Sequence, residues 1–344
     1  MAKKAIVLFN LGGPDKPASV EPFLFNLFND PAIIRLPNPF RWLVAKLISR
    51  RRAPVAKEIY SYIGGASPIL EQTKAQADAL QASLETSGDD EYKVFISMRY
   101  WHPFSNETAA EVRDWAPDEV ILLPLYPQFS STTTGSSFSD WQSEAKKAGI
   151  TLPTTSLCCY PMEEGFIAAY ANQISEKLKE VPDGQPVRLL FSAHGLPQKI
   201  VDQGDPYQFQ VEETAKRVAA KLDMPDLDWK VCYQSRVGPM KWLEPSTETE
   251  IHRAGEEKIG LVIVPIAFVS EHSETLVELD IEYAKLAKEK GVVGYYRVNT
   301  VGVHADFITG LAAMVLKMQT ANVSSEAGAR ICPTGFKDCL MLAS

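Results

Sequence analysis

The residue best suited to do chemistry in this chain is His194. It ends the apolar run Val-Arg-Leu-Leu-Phe-Ser-Ala and precedes Gly195-Leu196-Pro197, so it should stand where a strand gives way to a turn. An imidazole titrates near neutrality and can take a proton or hold a metal, but a lone histidine is more often hydrogen-bonded into its turn. A partner set lies further along, in Glu271-His272-Ser273-Glu274-Thr275-Leu276-Val277-Glu278 and on to Glu282. Glu271, Glu274, Glu278 and Glu282 are spaced by three, four and four residues, which predicts one acidic face of an α-helix. Like charges at that spacing repel, so the row weakens its helix unless a cation or a proton path uses it. Imidazole plus carboxylate suits a divalent first-row metal with open positions, or removal of protons from a bound substrate.

The elements that position these residues read as α/β, because short apolar runs alternate with longer helical patterns. Strands are expected at 5–9, 92–98, 119–125 and 154–159 in the first half, and at 187–192, 229–233, 259–266 and 294–298 in the second. The halves resemble each other at their strand ends. Leu8-Phe9-Asn10-Leu11-Gly12-Gly13 matches Leu190-Phe191-Ser192-Ala193-His194-Gly195, which sets Gly12 opposite His194, and Pro124 matches Pro265. An internal duplication is the implied origin. Ligands of open parallel sheets sit at the carboxyl ends of the strands, so a cleft between two such lobes is the expected site. Gly12-Gly13-Pro14 does not complete a dinucleotide fingerprint, and no Walker lysine motif occurs, which disfavours a nucleotide enzyme.

A net charge of -8 argues against nucleic acid as the partner. Met1 to Lys4 lead straight into an apolar strand without the pattern of a signal peptide, and no apolar run spans a bilayer. Five cysteines (Cys158, Cys159, Cys232, Cys332 and Cys339) are an odd number, against a disulfide framework. The expected compartment is the reducing cytoplasm. Residues 39–52 set Phe40, Leu43, Val44 and Leu47 at helical spacing among Arg41, Lys46, Arg50, Arg51 and Arg52. That is either an interfacial helix touching the inner membrane surface or an ordinary amphipathic core face.

Several motifs carry a more specific message. They are Asn-Leu-Gly-Gly-Pro at 10–14, Tyr60 with Ile-Gly-Gly-Ala-Ser-Pro-Ile at 63–69, Met-Arg-Tyr-Trp-His-Pro at 98–103 and Ser-Ala-His-Gly-Leu-Pro at 192–197. Gly-Asp-Pro-Tyr at 204–207, Tyr-Gln-Ser-Arg-Val-Gly-Pro-Met-Lys-Trp-Leu at 233–243 and Phe-Val-Ser-Glu-His-Ser-Glu-Thr at 268–275 complete the set. In this order the chain resembles the ferrochelatases. The resemblance implies two similar Rossmann-like domains, each a four-stranded parallel sheet flanked by helices. We divide them as 1–175 with 305–344, and 176–304. It implies insertion of Fe2+, as substrate, into protoporphyrin IX with release of two protons, the terminal step of heme synthesis. His194 and Glu274 are then the iron-site pair and Glu278 extends an acidic path. Leu11, Tyr60, Arg99, Tyr100 and Trp242 match porphyrin-pocket positions.

Because two pyrrole N–H protons leave as the ion enters, a base beside the ring is required, and His194 suits it. A nitrogen bound to metal cannot accept that proton, so the residues alone leave His194 as base or as ligand. The rival readings are a coproporphyrin or cobalt chelatase and a non-catalytic heme or porphyrin carrier. Some relatives resembling this chain carry a [2Fe–2S] cluster on one internal and three C-terminal cysteines. Here the tail has only Cys332 and Cys339, Ser131 stands at the internal position of the animal enzymes, and adjacent Cys158 and Cys159 should project oppositely. A cluster is therefore not favoured.

Overall fold

The computed structural model describes all residues except 88–89, 237, 239, 319–321 and 342–344. The first half supplies strands β1 (Lys3–Asn10), β2 (Glu91–Met98), β3 (Glu119–Pro124) and β4 (Thr154–Cys159). The second supplies β5 (Val187–His194), β6 (Trp229–Gln234), β7 (Gly260–Val264) and β8 (Tyr295–Arg297). All eight expected strands form, and every pairing is parallel. Strand order is β2-β1-β3-β4 in one sheet and β6-β5-β7-β8 in the other, the same topology twice.

The first sheet has a strand that we did not expect. A short β9 (Val323–Ser325) pairs in parallel with β4, making this sheet five-stranded rather than four-stranded. The matched prolines also need a correction in register. Phe9 lies opposite Pro124, whereas Phe191 lies opposite Val264, so the apolar motifs and the prolines cannot be equated together. The Leu125 amide donates to Phe9 and the Ile266 amide to Ser192, so equating the prolines sets Leu11, not Gly12, in the place of His194.

Strands buried on both faces need apolar side chains at every position, which is why β1 reads as an unbroken Ala-Ile-Val-Leu-Phe. Its alternating residues divide between two cores. Ala5, Val7 and Phe9 pack with Phe138 and Trp141 on the outer face. Ile6 and Leu8 face a central core that also takes Leu189, Phe191, Val262 and Val264 from the second sheet. Between the sheets lie buried residues of the helices Ile69–Ser87, Glu164–Leu178, Tyr207–Lys221 and Ala305–Lys317. Phe166 and Phe307 meet there at 5.9 Å between ring centroids, each fully buried and contributing roughly 1.5–3 kcal/mol by transfer from water. Polar bonds fix how the halves meet. Gln76 Nε2 donates to the Val269 carbonyl at 2.8 Å and the Gly302 carbonyl at 3.0 Å, and the Ser270 hydroxyl donates to Gln76 Oε1 at 2.9 Å. No described helix is long and apolar enough to cross a membrane.

Candidate active site

Three strand ends of the second sheet converge. His194 is the last residue of β5, Gln234 is the last of β6, and the chain after β7 leads into a helix at Glu274–Tyr283. That helix is a π-helix, with i→i+5 bonding and therefore more residues per turn than an α-helix. This changes the acidic face expected from sequence. Glu271 precedes the helix and is held by Arg297 Nη1 at 2.6 Å and the Thr300 amide at 2.9 Å. Over the wider turns successive acidic residues drift around the axis, and Glu282 ends in solvent. Only Glu274 and Glu278 remain together.

His194 Nδ1 and Glu274 Oε2 are 2.8 Å apart, with side chains 38% and 26% exposed. Burial alone would disfavour the imidazolium, but the Glu274 carboxylate, helped by Glu278, outweighs it and raises the His194 pKa. Burial likewise opposes ionisation of Glu274, and the attraction and hydrogen bond of His194 overcome it, holding the carboxyl well below its usual range. Glu278 goes the other way. Burial and the neighbouring Glu274 charge raise its pKa, although hydrogen bonds from Ser235, Gln234 and Tyr283 offset part of the effect. The pKa values of two carboxyls one turn apart are thus pushed in opposite directions.

Two residues that sequence reasoning passed over complete this centre. Gln234 Nε2 donates to the Glu274 carbonyl and to Glu278 Oε2, both at 3.0 Å. The Ser235 amide donates to Glu278 Oε1 at 2.9 Å, and its hydroxyl lies 3.0 Å from Glu274 Oε2 and 2.5 Å from Glu278 Oε2. Both belong to the motif at 233–243, but amide and hydroxyl side chains carry no signal of their own in a sequence.

The predicted pocket residues fall into two groups. Tyr60, in the last turn of the helix Phe40–Ser61, is 7% exposed. Its phenol is pushed up to about 12 by burial, against a hydrogen bond with Ser273, and Glu274 adds to the rise. Leu11 is partly buried in the same apolar cluster. Trp242 bridges to Pro197, and its ring would meet any Cβ added at Gly195, the residue after His194. Tyr60 and Trp242 thus border the residues next to Glu274 and His194, while Leu11 packs with Tyr60 and Tyr100. Arg99 and Tyr100 instead build a polar knot around Asp30: Arg99 Nη2 lies 2.9 Å and the Tyr100 hydroxyl 2.7 Å from Asp30 Oδ2, and Ser136 also donates to that oxygen. Two cavities, of about 330 and 370 Å3, open beside Asp30, Arg99 and Asp140, and neither is lined by His194 or Glu274.

The cysteines are all buried and free. Our expectation that Cys158 and Cys159 project oppositely fails. A register shift in the pairing of β4 with β9 breaks the alternation, and the two sulfurs lie 3.1 Å apart. Cys332 and Cys339 contact each other across the C-terminal tail. Gln210 Nε2 sits between the pairs, 3.4 Å from Cys159 Sγ and 3.1 Å from Cys332 Sγ. An iron–sulfur cluster needs four thiolates turned to one centre. Here the sulfurs meet in two pairs with an amide between them, and no set of three or more His, Cys, Asp or Glu among the described residues is placed to hold a metal ion. All four thiols lie in one buried region, where Cys332 acts electrostatically on both Cys158 and Cys159.

The fold is that of the chelatases. The solved sirohydrochlorin chelatase SirB from Bacillus subtilis subspecies spizizenii, in complex with cobalt, superposes with a TM-score of 0.52 at 9% identity, covering 92% of this chain and 95% of that one. SirB from Bacillus subtilis with Fe3+ gives 0.53 at 11% identity over the same shares. Sequence goes further. The ferrochelatase family model matches residues 3–319. Ferrochelatases of Caulobacter vibrioides (53% identical; 98% of this chain and 97% of that one) and Pelagibacter ubique (50%; 98% of each) match almost end to end. The chain belongs to the ferrochelatase family, and it is a metal chelatase, a lyase of heme synthesis.

Proposed function

We propose that the reaction takes place at the His194–Glu274 pair, with Fe2+ and protoporphyrin IX as the substrates. The observation that carries the reading is the 2.8 Å contact from His194 Nδ1 to Glu274. It commits one ring nitrogen to the carboxylate and leaves Nε2 as the atom free to meet substrate, the arrangement of an oriented general base. His194 Nε2 then takes pyrrole protons. Glu274 stabilises the imidazolium and offers a carboxylate oxygen to the incoming ion, and Glu278 passes protons outward. Leu11, Tyr60 and Trp242 supply the wall against which the ring lies, with Arg99 and Tyr100 behind it.

The test follows loss of protoporphyrin fluorescence after Fe(II) is added anaerobically. Wild type should turn over, with His194→Ala and Glu274→Gln slower by roughly 100-fold or more. Binding without metallation by the wild type would make the protein a carrier. Faster turnover with coproporphyrin would displace protoporphyrin as the preferred ring, and faster turnover with Co2+ would displace iron as the preferred metal.

A second reading concerns where the ring arrives, and one observation favours it. Of the apolar residues in the helix Phe40–Ser61, Phe40, Leu43 and Leu47 are 63%, 55% and 61% exposed, so the stripe faces solvent and not the core. With Arg41, Lys46, Arg50, Arg51 and Arg52 around it, this surface suits the anionic interface of a bilayer. Flotation with anionic vesicles at low salt should recover the protein, and Leu43→Ser/Leu47→Ser should release it. No bound wild type would remove the idea.

A further inference from the structure

Ser235 has a backbone conformation that a serine rarely adopts. Its φ is +64°, in the left-handed region, at the first residue after β6. Strain of this kind persists only where surrounding contacts fix it, and it collects at functional sites. Here the contacts are visible. The left-handed turn aims the amide at Glu278 Oε1, 2.9 Å away, and sets the hydroxyl between two carboxylates, 3.0 Å from Glu274 Oε2 and 2.5 Å from Glu278 Oε2. Among the described residues, no other side chain bonds both carboxylates; Gln234 reaches the Glu278 carboxylate but only the backbone carbonyl of Glu274. Glu274, held by His194, and Glu278, held by Gln234 and Tyr283, stand one turn apart on the π-helix, and without the shared hydroxyl their carboxylates would face each other with no bridge between them.

We infer that Ser235 is a positioning residue for metal insertion: its strained backbone aims one hydroxyl and one amide so that Glu274 and Glu278 are held as a linked pair behind His194. The inference rests on the proposed role of that pair. It assigns Ser235 to the metal side of the reaction, since its bonds go to carboxylates and none to the apolar wall. The strain tells function apart from architecture, because glycine adopts this φ freely while removing the side chain, and alanine removes only the hydroxyl.

The experiment measures steady-state kinetics for wild type, Ser235→Ala and Ser235→Gly, varying Fe(II) and protoporphyrin separately, with thermal unfolding of each. Residues that orient a metal-binding side chain typically cost about 10- to 100-fold when removed. Both variants should lose that much in kcat/KM for Fe(II), while KM for protoporphyrin stays within about two-fold, and Ser235→Gly should unfold no lower than wild type. A glycine variant with wild-type kcat/KM for Fe(II), or a rise in KM for protoporphyrin as large as the loss in kcat/KM for Fe(II), overturns the inference. Absence of turnover in the wild type would sink the underlying function instead, so the two failures are distinguishable.

Discussion

The side-chain amide of Gln210 donates to the sulfur of Cys332 at 3.1 Å, tying the helix Tyr207–Lys221 to the C-terminal tail. The same side chain accepts from the Phe129 amide at 2.7 Å, so one fully buried residue joins the loop after β3, the second half and the tail. Arg330 closes the tail on itself, donating to the carbonyls of Cys332, Pro333, Phe336 and Met341. Gln210→Leu leaves the Phe129 amide buried without a partner, which should cost about 1–3 kcal/mol. Urea unfolding should show a lower midpoint at unchanged slope. Combined with Arg330→Met, the loss should be less than the sum of the two, because both loosen one tail.

Glu326 makes stability depend on pH. Its carboxyl is pushed up to about 7, first by burial and then by Glu163, with backbone hydrogen bonds and Arg217 opposing. Its Oε2 is buried without a hydrogen-bond partner. A folded-state pKa above the unfolded value means that the native protein holds the proton more tightly. The contribution is therefore full below about pH 4.5 and is lost as pH rises toward 7, by roughly 1–3 kcal/mol. Glu326→Gln should flatten the melting temperature over that range. An unchanged slope would place the dependence elsewhere.

The helices Glu164–Leu178 and Ala305–Lys317 approach too closely for a side chain at Gly165. A Cβ built there would lie 2.2 Å from the Asp306 carbonyl, and backbone cannot swing aside as a flexible side chain would. Gly165→Ala should therefore destabilise by about 1–3 kcal/mol despite the better helix propensity of alanine. A neutral outcome in chemical denaturation would mean that the helices separate at little cost.

Arg99 compensates a buried charge. The Asp30 side chain is 2% exposed, and Arg99 is its one cationic partner among the described residues. Arg99→Ala should lower stability by about 3 kcal/mol, and adding Asp30→Asn should recover part of that, because the uncompensated carboxylate is gone. If Arg99 acted on the porphyrin alone, the single variant would change KM for the ring and leave unfolding untouched.

Much of this fold was legible because burial on both faces of a parallel strand leaves its mark in sequence. Each of the eight longer apolar runs became a strand within a few residues of its expected bounds. Strand β9 was not legible: Val323-Ser324-Ser325 is short and polar, and only pairing with β4 makes it a strand. His194 was legible as a histidine at a strand end and Glu274 as one of an acidic row on the helix after β7, while their 2.8 Å contact depends on how the chain folds between them. The acidic face was half right because periodicity assumes α-helical turns, and nothing in Glu-Thr-Leu-Val-Glu announces a π-helix. Ser235 was missed because its importance lies in a backbone angle. The solvent-facing stripe at 40–47 could not be told from a core face, since spacing gives a helix its sides but not which side is covered.

The repeated strand order has a consequence for how such a site can change over time. Two copies of one scaffold face each other, yet equivalent strand ends hold Leu11 in one and His194 in the other. A duplicated architecture lets equivalent positions diverge, so that the chain just past β1 keeps an apolar residue where the matching end of β5 carries an imidazole.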